Sequence, residues 1–111
     1  MSASDQLTAY FTGHRRKFDL PLDPDGTGFQ RRVWSALQQI PYGSTVTYRQ
    51  LSERLGDPQA LRAVGKANGS NPIPVIIPCH RVIGADNRLV GYSGGIERKK
   101  WLLKHEGALL L

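Results

Sequence analysis

One cysteine stands in this chain of 111 residues, and a histidine and an arginine follow it at once: Pro78-Cys79-His80-Arg81-Val82. A thiol is a weak nucleophile at its free pKa of about 8.5, and the thiolate is the reactive form. An imidazole and a guanidinium beside it are groups that favour the thiolate. The residues before it, Ile73-Pro74-Val75-Ile76-Ile77-Pro78, are apolar and bracketed by prolines. Proline fixes its own φ and restricts its predecessor, so the backbone under Cys79 is expected to be stiff, partly buried and extended over residues 74–77. Two other readings compete. A lone free cysteine is most often a small buried hydrophobe, although a core-filling residue has no use for two basic neighbours. A metal site is not expected. Only His14, His80 and His105 accompany the cysteine, without paired spacing, and a structural zinc needs about four ligands.

A nucleophile needs a base, and the base needs a group to orient it. Composition leaves His80 and His105 both open as that base; adjacency favours His80. Glu106 follows the last predicted helix, where the helix dipole repels an acid. A buried role would explain that placement.

The elements that position these groups are legible from caps and breakers. Asp5 to Thr12 reads as a short helix ending at Gly13, and Leu20-Pro21-Leu22-Asp23-Pro24-Asp25-Gly26 as a linker. Thr27 with Gln30 forms a capping box ahead of Phe29, Val33, Trp34 and Leu37 at helical spacing, with Pro41 as the stop. Thr47 with Gln50 repeats the signal, and that helix, from Tyr48, ends at Gly56. Asp57 is expected to cap a further helix with Pro58 at its first position, carrying Leu61, Val64 and Ala67 on one stripe as far as Gly69. Two short helices across a tight turn read as a helix-turn-helix or as an ordinary αα-hairpin. Residues 82–92, around Asp86-Asn87, read as a hairpin or irregular wing. Gly94-Gly95 opens a last helix from Ile96 to His105, with Trp101, Leu102 and Leu103 expected in the core.

Length predicts one domain. No apolar run approaches the roughly 18 residues of a membrane span. The N-terminus, Met1-Ser2-Ala3-Ser4-Asp5, does not read as a secretory signal. A single cysteine excludes an internal disulfide and suits a reducing compartment. The net charge of +6 is uneven, because residues 26–111 hold twelve of the fifteen Lys/Arg but five of the nine Asp/Glu. On one face of a small domain that imbalance is the footprint of a nucleic-acid binder.

The Pro78–Val82 run resembles the active-site signature of the O6-alkylguanine-DNA alkyltransferases. Thr47-Tyr48-Arg49-Gln50-Leu51, Arg62-Ala63-Val64-Gly65, Asn71-Pro72, Gly91-Tyr92-Ser93-Gly94-Gly95 and His105-Glu106-Gly107 resemble further motifs of that family, in its order, from about Thr27 to Glu106. The resemblance implies a mainly α, winged helix-turn-helix-like domain with a small β element. It implies direct, stoichiometric transfer of an alkyl group from O6-alkylguanine, or O4-alkylthymine, in duplex DNA to Cys79. By the same resemblance His80 reaches the thiol through water, Glu106 holds His80, and Asn71 braces the turn before Cys79. Arg62 enters the base stack of a flipped nucleotide, with Ala63 and Gly65 allowing close approach to the minor groove. Tyr48 and Ser93 assist the leaving guanine, the carbonyls of Cys79 and Val82 take its amine, Tyr92 walls the pocket and Arg81 joins the DNA-binding set. No cofactor, metal or membrane is implied, and the expected protein is a monomer of the cytoplasm, at the nucleoid, or in the nucleus of a eukaryote.

Full-length members of the family carry an additional N-terminal domain. Residues 1–26 are expected to be a remnant of it, an N-terminal helix and linker, ahead of a DNA-binding and alkyltransferase domain over 27–111. The short length is also similar to that of the alkyltransferase-like proteins, which bind alkylated DNA but replace the cysteine. The alternative reading is therefore a non-catalytic sensor that recruits other repair factors. A thiol protease or oxidoreductase using Cys79 and His80 is a third, weakened by the lack of a resolving cysteine.

Overall fold

The computed structural model describes residues 2–92 and 94–108. The elements run α1 (Ala3–Phe11), α2 (Gly28–Leu37), β1 (Val46–Thr47), α3 (Tyr48–Arg54), α4 (Leu61–Gly69), β2 (Val82–Ile83) and α5 (Ile96–His105). Single 3-10 turns form at Cys79–Arg81 and Ala85–Asn87. The expected class, mainly helical with a small β element, is what forms.

Local chemistry sets the helix starts. The Thr27 hydroxyl accepts from the Gln30 amide at 3.0 Å while the Gln30 side chain accepts from the Thr27 amide at 2.9 Å. The same reciprocal pair joins Thr47 and Gln50 at the head of α3. Each box satisfies two amides that the first turn leaves unpaired. Gly56 ends the α3 region at φ +79°, a conformation open to glycine without cost. α1 is capped by Ser2 and Asp5 and is followed by Gly13 at φ +81°.

The core lies between α2, α3 and α4 and runs into the turn that carries the cysteine. Val33, Trp34 and Leu37 meet Leu51, Val64, Ala67, Ile77, Cys79 and Val82. Each buried aliphatic side chain contributes about 1.5–3 kcal/mol. The Trp34 indole N–H donates to the Ala67 carbonyl at 2.9 Å, so the largest core ring leaves no polar atom unpaired. β1 and β2 pair in parallel, Val46 with Val82 and Thr47 with Ile83.

Four expectations change. α4 begins at Leu61, not Pro58, because Asp57 closes a tight turn through its carbonyl, which accepts from the Ala60 amide at 3.1 Å. The fixed φ of Pro58 suits that turn as well as a helix start. Leu61 is then too near the helix end to be covered, and is 38% exposed, whereas Val64 and Ala67 are buried. Residues 74–77 are not extended. They fold into a turn bridged between Pro74 and Ile77, with Val75 at φ +74°. Trp101 is about half exposed and stacks on His105, while Leu102 and Leu103 enter the core as expected. The segment after β2 takes the irregular one of the two forms expected for it, closed by the Gly84 amide donating to the Arg88 carbonyl at 2.7 Å.

Candidate active site around Cys79

The loop from Asn71 to Pro78 delivers the cysteine. Asn71 is buried and works in both directions: its amide nitrogen donates to the Ile77 carbonyl at 2.7 Å, and its carbonyl accepts from the Ile73 amide at 3.0 Å. One side chain thus pins both ends of the strained Val75 turn. A β-branched residue in the left-handed region is disfavoured, so the turn depends on such bracing. The 3-10 turn then places Cys79, His80 and Arg81 inward in succession.

Cys79 keeps 2% of its surface. Burial pushes its thiol above the ordinary value, opposed by the Asn71 side chain and by the charge of Lys99. The thiol is therefore protonated at rest and needs a base. His80 is fully buried one residue on, and its Nε2 lies 2.8 Å from Glu106 Oε2. Burial pulls the imidazole below its usual pKa despite the carboxylate. The ring is thus neutral near pH 7. An ionised carboxylate only accepts, so Nε2 carries the proton and Nδ1 is left as a bare acceptor. That Nδ1 is buried and has no protein partner.

Glu106 caps the end of α5, with its side chain fully buried. Four donors converge on it: Tyr10 Oη at 2.7 Å, His80 Nε2 at 2.8 Å, Arg81 Nε at 2.8 Å and an Arg81 terminal nitrogen at 2.9 Å. Burial works to raise its pKa, but the bonds from His80 and Arg81 outweigh it and hold the carboxyl at about 2. Such a group does not take up a proton at neutral pH. It orients the imidazole and fixes its tautomer.

Arg81 is corrected by this geometry. Its guanidinium clasps Glu106 from two nitrogens, and the third donates to the Ile40 carbonyl at 2.7 Å above the Tyr42 ring. With 6% of its surface exposed, it faces the interior instead of the DNA-facing set to which it was assigned. Its fork matches a carboxylate, which explains the choice. His105 is set apart from the thiol. Its Nε2 bonds the Tyr10 carbonyl at 2.7 Å.

The remaining described candidates sit on α3, α4, the strand after the cysteine turn and the loop before α5. Tyr48, at the first position of α3, is half-buried, and its hydroxyl makes long contacts of 3.5 and 3.4 Å with the carbonyls of Val90 and Gly91. Burial pushes its pKa up. Arg62 and Ala63 are exposed on the outer face of α4 with Lys66, whereas Gly65 turns inward, where an added Cβ would sit 3.9 Å from the Tyr48 ring. The carbonyls of Cys79 and Val82 are already engaged. The first accepts from Asn68 at 3.4 Å and from the Val82 amide, and the second accepts from Lys99 at 2.5 Å. Tyr92 is half-buried and lines, with Pro74, Phe11, Arg98 and Trp101, a cleft of about 420 Å³. Burial and the nearby thiol push its pKa up to about 12. Ser93 lies outside the described residues. Among those residues no group of three or more His, Cys, Asp or Glu could hold a metal, and no helix is long and apolar enough to cross a membrane.

Sequence reasoning passed over Tyr10, Asn68 and Lys99. Asn68 follows Ala67 on the inner face of α4 at helical spacing from Val64, a polar residue on an apolar stripe, and that was a readable signal. Tyr10 meets Glu106 across 96 residues, which no local pattern reports.

The fold and the site together define a helix-turn-helix domain wrapped around one buried thiol. Residues 28–108 match the family described as 6-O-methylguanine DNA methyltransferase, DNA binding domain, and the chain belongs to that family. It is 55% identical over 106 residues to the methylated-DNA–protein-cysteine methyltransferase of Methanosarcina acetivorans, covering 96% of this chain and 68% of that one. It is similar to the crystal structure of Mycobacterium tuberculosis OGT in complex with DNA, with a TM-score of 0.92 and 57% identity over 96% of this chain and 66% of that one. A weaker likeness, TM-score 0.64 and 31% identity over 76% of this chain and 80% of that one, joins it to S. pombe Atl1 in complex with damaged DNA containing O6-carboxymethylguanine. The chain spans about two thirds of the length of the curated relatives it matches.

Proposed function

We propose that this chain repairs DNA by moving an alkyl group from the position-6 oxygen of guanine, or the position-4 oxygen of thymine, onto Cys79 Sγ. The observation that carries the reading is the buried Cys79 beside a neutral His80 whose free Nδ1 is fixed by Glu106, within a domain of the methyltransferase family. A water between Nδ1 and Sγ would satisfy that nitrogen and carry the thiol proton to it. The thiolate attacks the alkyl carbon. An S–C bond forms, the C–O bond breaks, and its electron pair stays on the base, which takes up the proton released by the thiol. The product thioether has no route back, so each molecule acts once.

Access to the base requires flipping, at a cost of a few kcal/mol. The exposed Arg62 on α4 suits insertion into the vacated stack, and the small Ala63 beside it suits close approach along the minor groove. Gly65 faces the Tyr48 ring, where an added Cβ would make only ordinary contact at 3.9 Å, so its part is the close approach to the groove that the family resemblance implies. Tyr48 donates to the guanine ring, Tyr92 walls the base, Ser93 keeps the role that the family resemblance gives it toward the position-6 oxygen, and Asn71 keeps the cysteine loop in shape. The working unit is residues 27–111 as a monomer on duplex DNA in the cytoplasm or nucleoid, with residues 1–26 completing the shell around Glu106.

The test is intact mass after incubation with excess O6-methylguanine duplex. One methyl addition is expected on the parent and none on Cys79→Ser, while Cys79→Ala still prefers the damaged duplex. Repeated turnover overturns the reading. Lesion binding without any mass change replaces it with the sensor. Arg62→Ala should lose lesion preference more than general affinity, and binding should fall with salt at a log–log slope of about −0.9 per phosphate neutralised.

A further inference from the structure

Glu106 Oε2 is crowded with donors. A carboxylate oxygen offers about two lone pairs. Tyr10 Oη, His80 Nε2 and a terminal nitrogen of Arg81 reach this one at 2.7, 2.8 and 2.9 Å, while Oε1 takes Arg81 Nε at 2.8 Å. The shortest of the three bonds to Oε2 comes from α1, outside the residues 28–108 that match the family. Tyr10 is fully buried. Its ring meets those of Phe11, Phe18, Tyr42 and His105 at 5.0 to 6.1 Å between centres, and its carbonyl bonds His105 Nε2 at 2.7 Å. Packing thus places the hydroxyl. Burial and the carboxylate beside it keep it protonated, so toward Glu106 it acts as a donor.

We propose that Tyr10 is a positioning residue for the base of the reaction: its hydroxyl shares Glu106 Oε2 with His80, takes up part of the carboxylate charge, and so keeps the imidazole neutral and its Nδ1 open to a proton at neutral pH. Tyr10 acts through Glu106, not on the thiol or the alkyl group. Through it α1 belongs to the reaction centre and is more than a cover. The inference rests on the alkyl-transfer reading for its purpose, but its first test does not use DNA.

The groups around His80 fix the sign. Burial lowers the imidazole pKa. Glu106, at the end of α5, raises it through the bond and through its charge, and the cations of Arg81 on the same turn and Lys99 on α5 lower it. The Cys79 thiol, one residue before, is held protonated by burial. Removing the Tyr10 hydroxyl leaves Oε2 to His80 and Arg81. The clasp of Arg81 from two nitrogens keeps the carboxylate in place. The bond to His80 then strengthens, and the imidazolium gains.

The experiment follows the His80 imidazole midpoint by NMR, without DNA, in the parent and in Tyr10→Phe. It should rise in the variant by roughly half a pH unit or more, about a threefold change in the ratio of charged to neutral ring. Gln6→Ala is the control. The Gln6 side chain ties α1 to the Asp19 backbone from both its amide nitrogen and its carbonyl, so its loss loosens the helix without touching Glu106, and His80 should titrate as in the parent. An unmoved midpoint in folded Tyr10→Phe overturns the proposal, and so does an equal rise in Gln6→Ala. If Tyr10→Phe does not fold, the Tyr10 hydroxyl proton is followed in the parent. Its resonance should move with the His80 titration, and indifference to it overturns the proposal. In single-turnover methyl transfer the acid limb of the pH–rate profile should rise with the His80 midpoint in Tyr10→Phe, and a limb that stays in place while the midpoint moves overturns the link to the base. Absence of transfer in the parent, with the NMR shifts present, would count against the proposed function alone.

Discussion

Replacing Glu106 by Gln removes one negative charge and leaves its four donors in place. The carboxyl is held at about 2 in the folded chain against an ordinary value of 4.5. A difference of that size corresponds to about 3 kcal/mol of folding stability at neutral pH. An independent figure comes from breaking a buried ion pair by deleting one partner, about 3–5 kcal/mol, since Arg81 would remain buried without its anion. Both point to a loss of about 3–4 kcal/mol for Glu106→Gln at pH 7. Between pH 4.5 and 2 the unfolded chain binds more protons at this position than the folded one. Stability therefore falls as pH is lowered through that window, and the contribution is fully present only above it. In Glu106→Gln this part of the pH dependence is absent. Urea unfolding at pH 7, 5, 4 and 3 measures both curves, and the gap between parent and variant should narrow steadily below pH 4.5. A gap under about 1 kcal/mol at pH 7, or one that stays constant down to pH 3, would refute the reasoning that the carboxylate is ionised and held by Arg81 and His80.

Tyr10→Phe keeps the ring and removes only the hydroxyl that donates to Glu106 at 2.7 Å. A hydrogen bond to a charged group contributes about 1.5–3 kcal/mol, so thermal unfolding should shift down by about 8 °C; an unchanged Tm would mean the bond contributes nothing. Gly91→Ala forces a side chain onto a residue at φ +58° and sets a methyl 3.3 Å from Tyr48 Oη. It should cost about 1–2 kcal/mol in urea unfolding and weaken lesion binding by displacing Tyr48, whereas equal stability and equal binding would show that the wing yields freely.

What could be read in advance follows the range of the interactions. The Thr27 and Thr47 boxes, the stop at Gly56 and the bounds of α5 depend on residues within four positions of one another, and each stands where it was expected. Pro58 misled because a proline satisfies a turn and a helix start equally well, and the Asp57 carbonyl decided between them. The Val75 turn was hidden because its conformation is imposed by Asn71 and is contrary to the residue's own preference. His80 and Glu106 were legible as a pair through the family motifs. Tyr10, which completes the same cluster, lay in a segment outside those motifs. Arg81 was misassigned because a surface arginine on phosphate and a buried arginine on carboxylate look alike in sequence. A lysine among Glu97, Arg98 and Lys100 likewise gives no sign that it alone turns inward.

The two-rung ladder between β1 and β2 has a consequence for how such a chain can change length. Thr47 is a rung and also the cap of α3, one residue before Tyr48; Val82 is a rung and is joined by its amide to Cys79. Two covalent spans, 47–48 and 79–82, therefore set the separation of tyrosine and thiol. A deletion of one residue in either span would shift the pairing register of the adjoining two-residue strand and turn its side chains to the opposite faces. The tip of the wing at 85–87 and the turn at 57–60 lie outside both spans. Insertions should be tolerated there and refused next to the ladder, so that a map of permitted lengths along the chain would outline the reaction centre without reference to the identity of any residue.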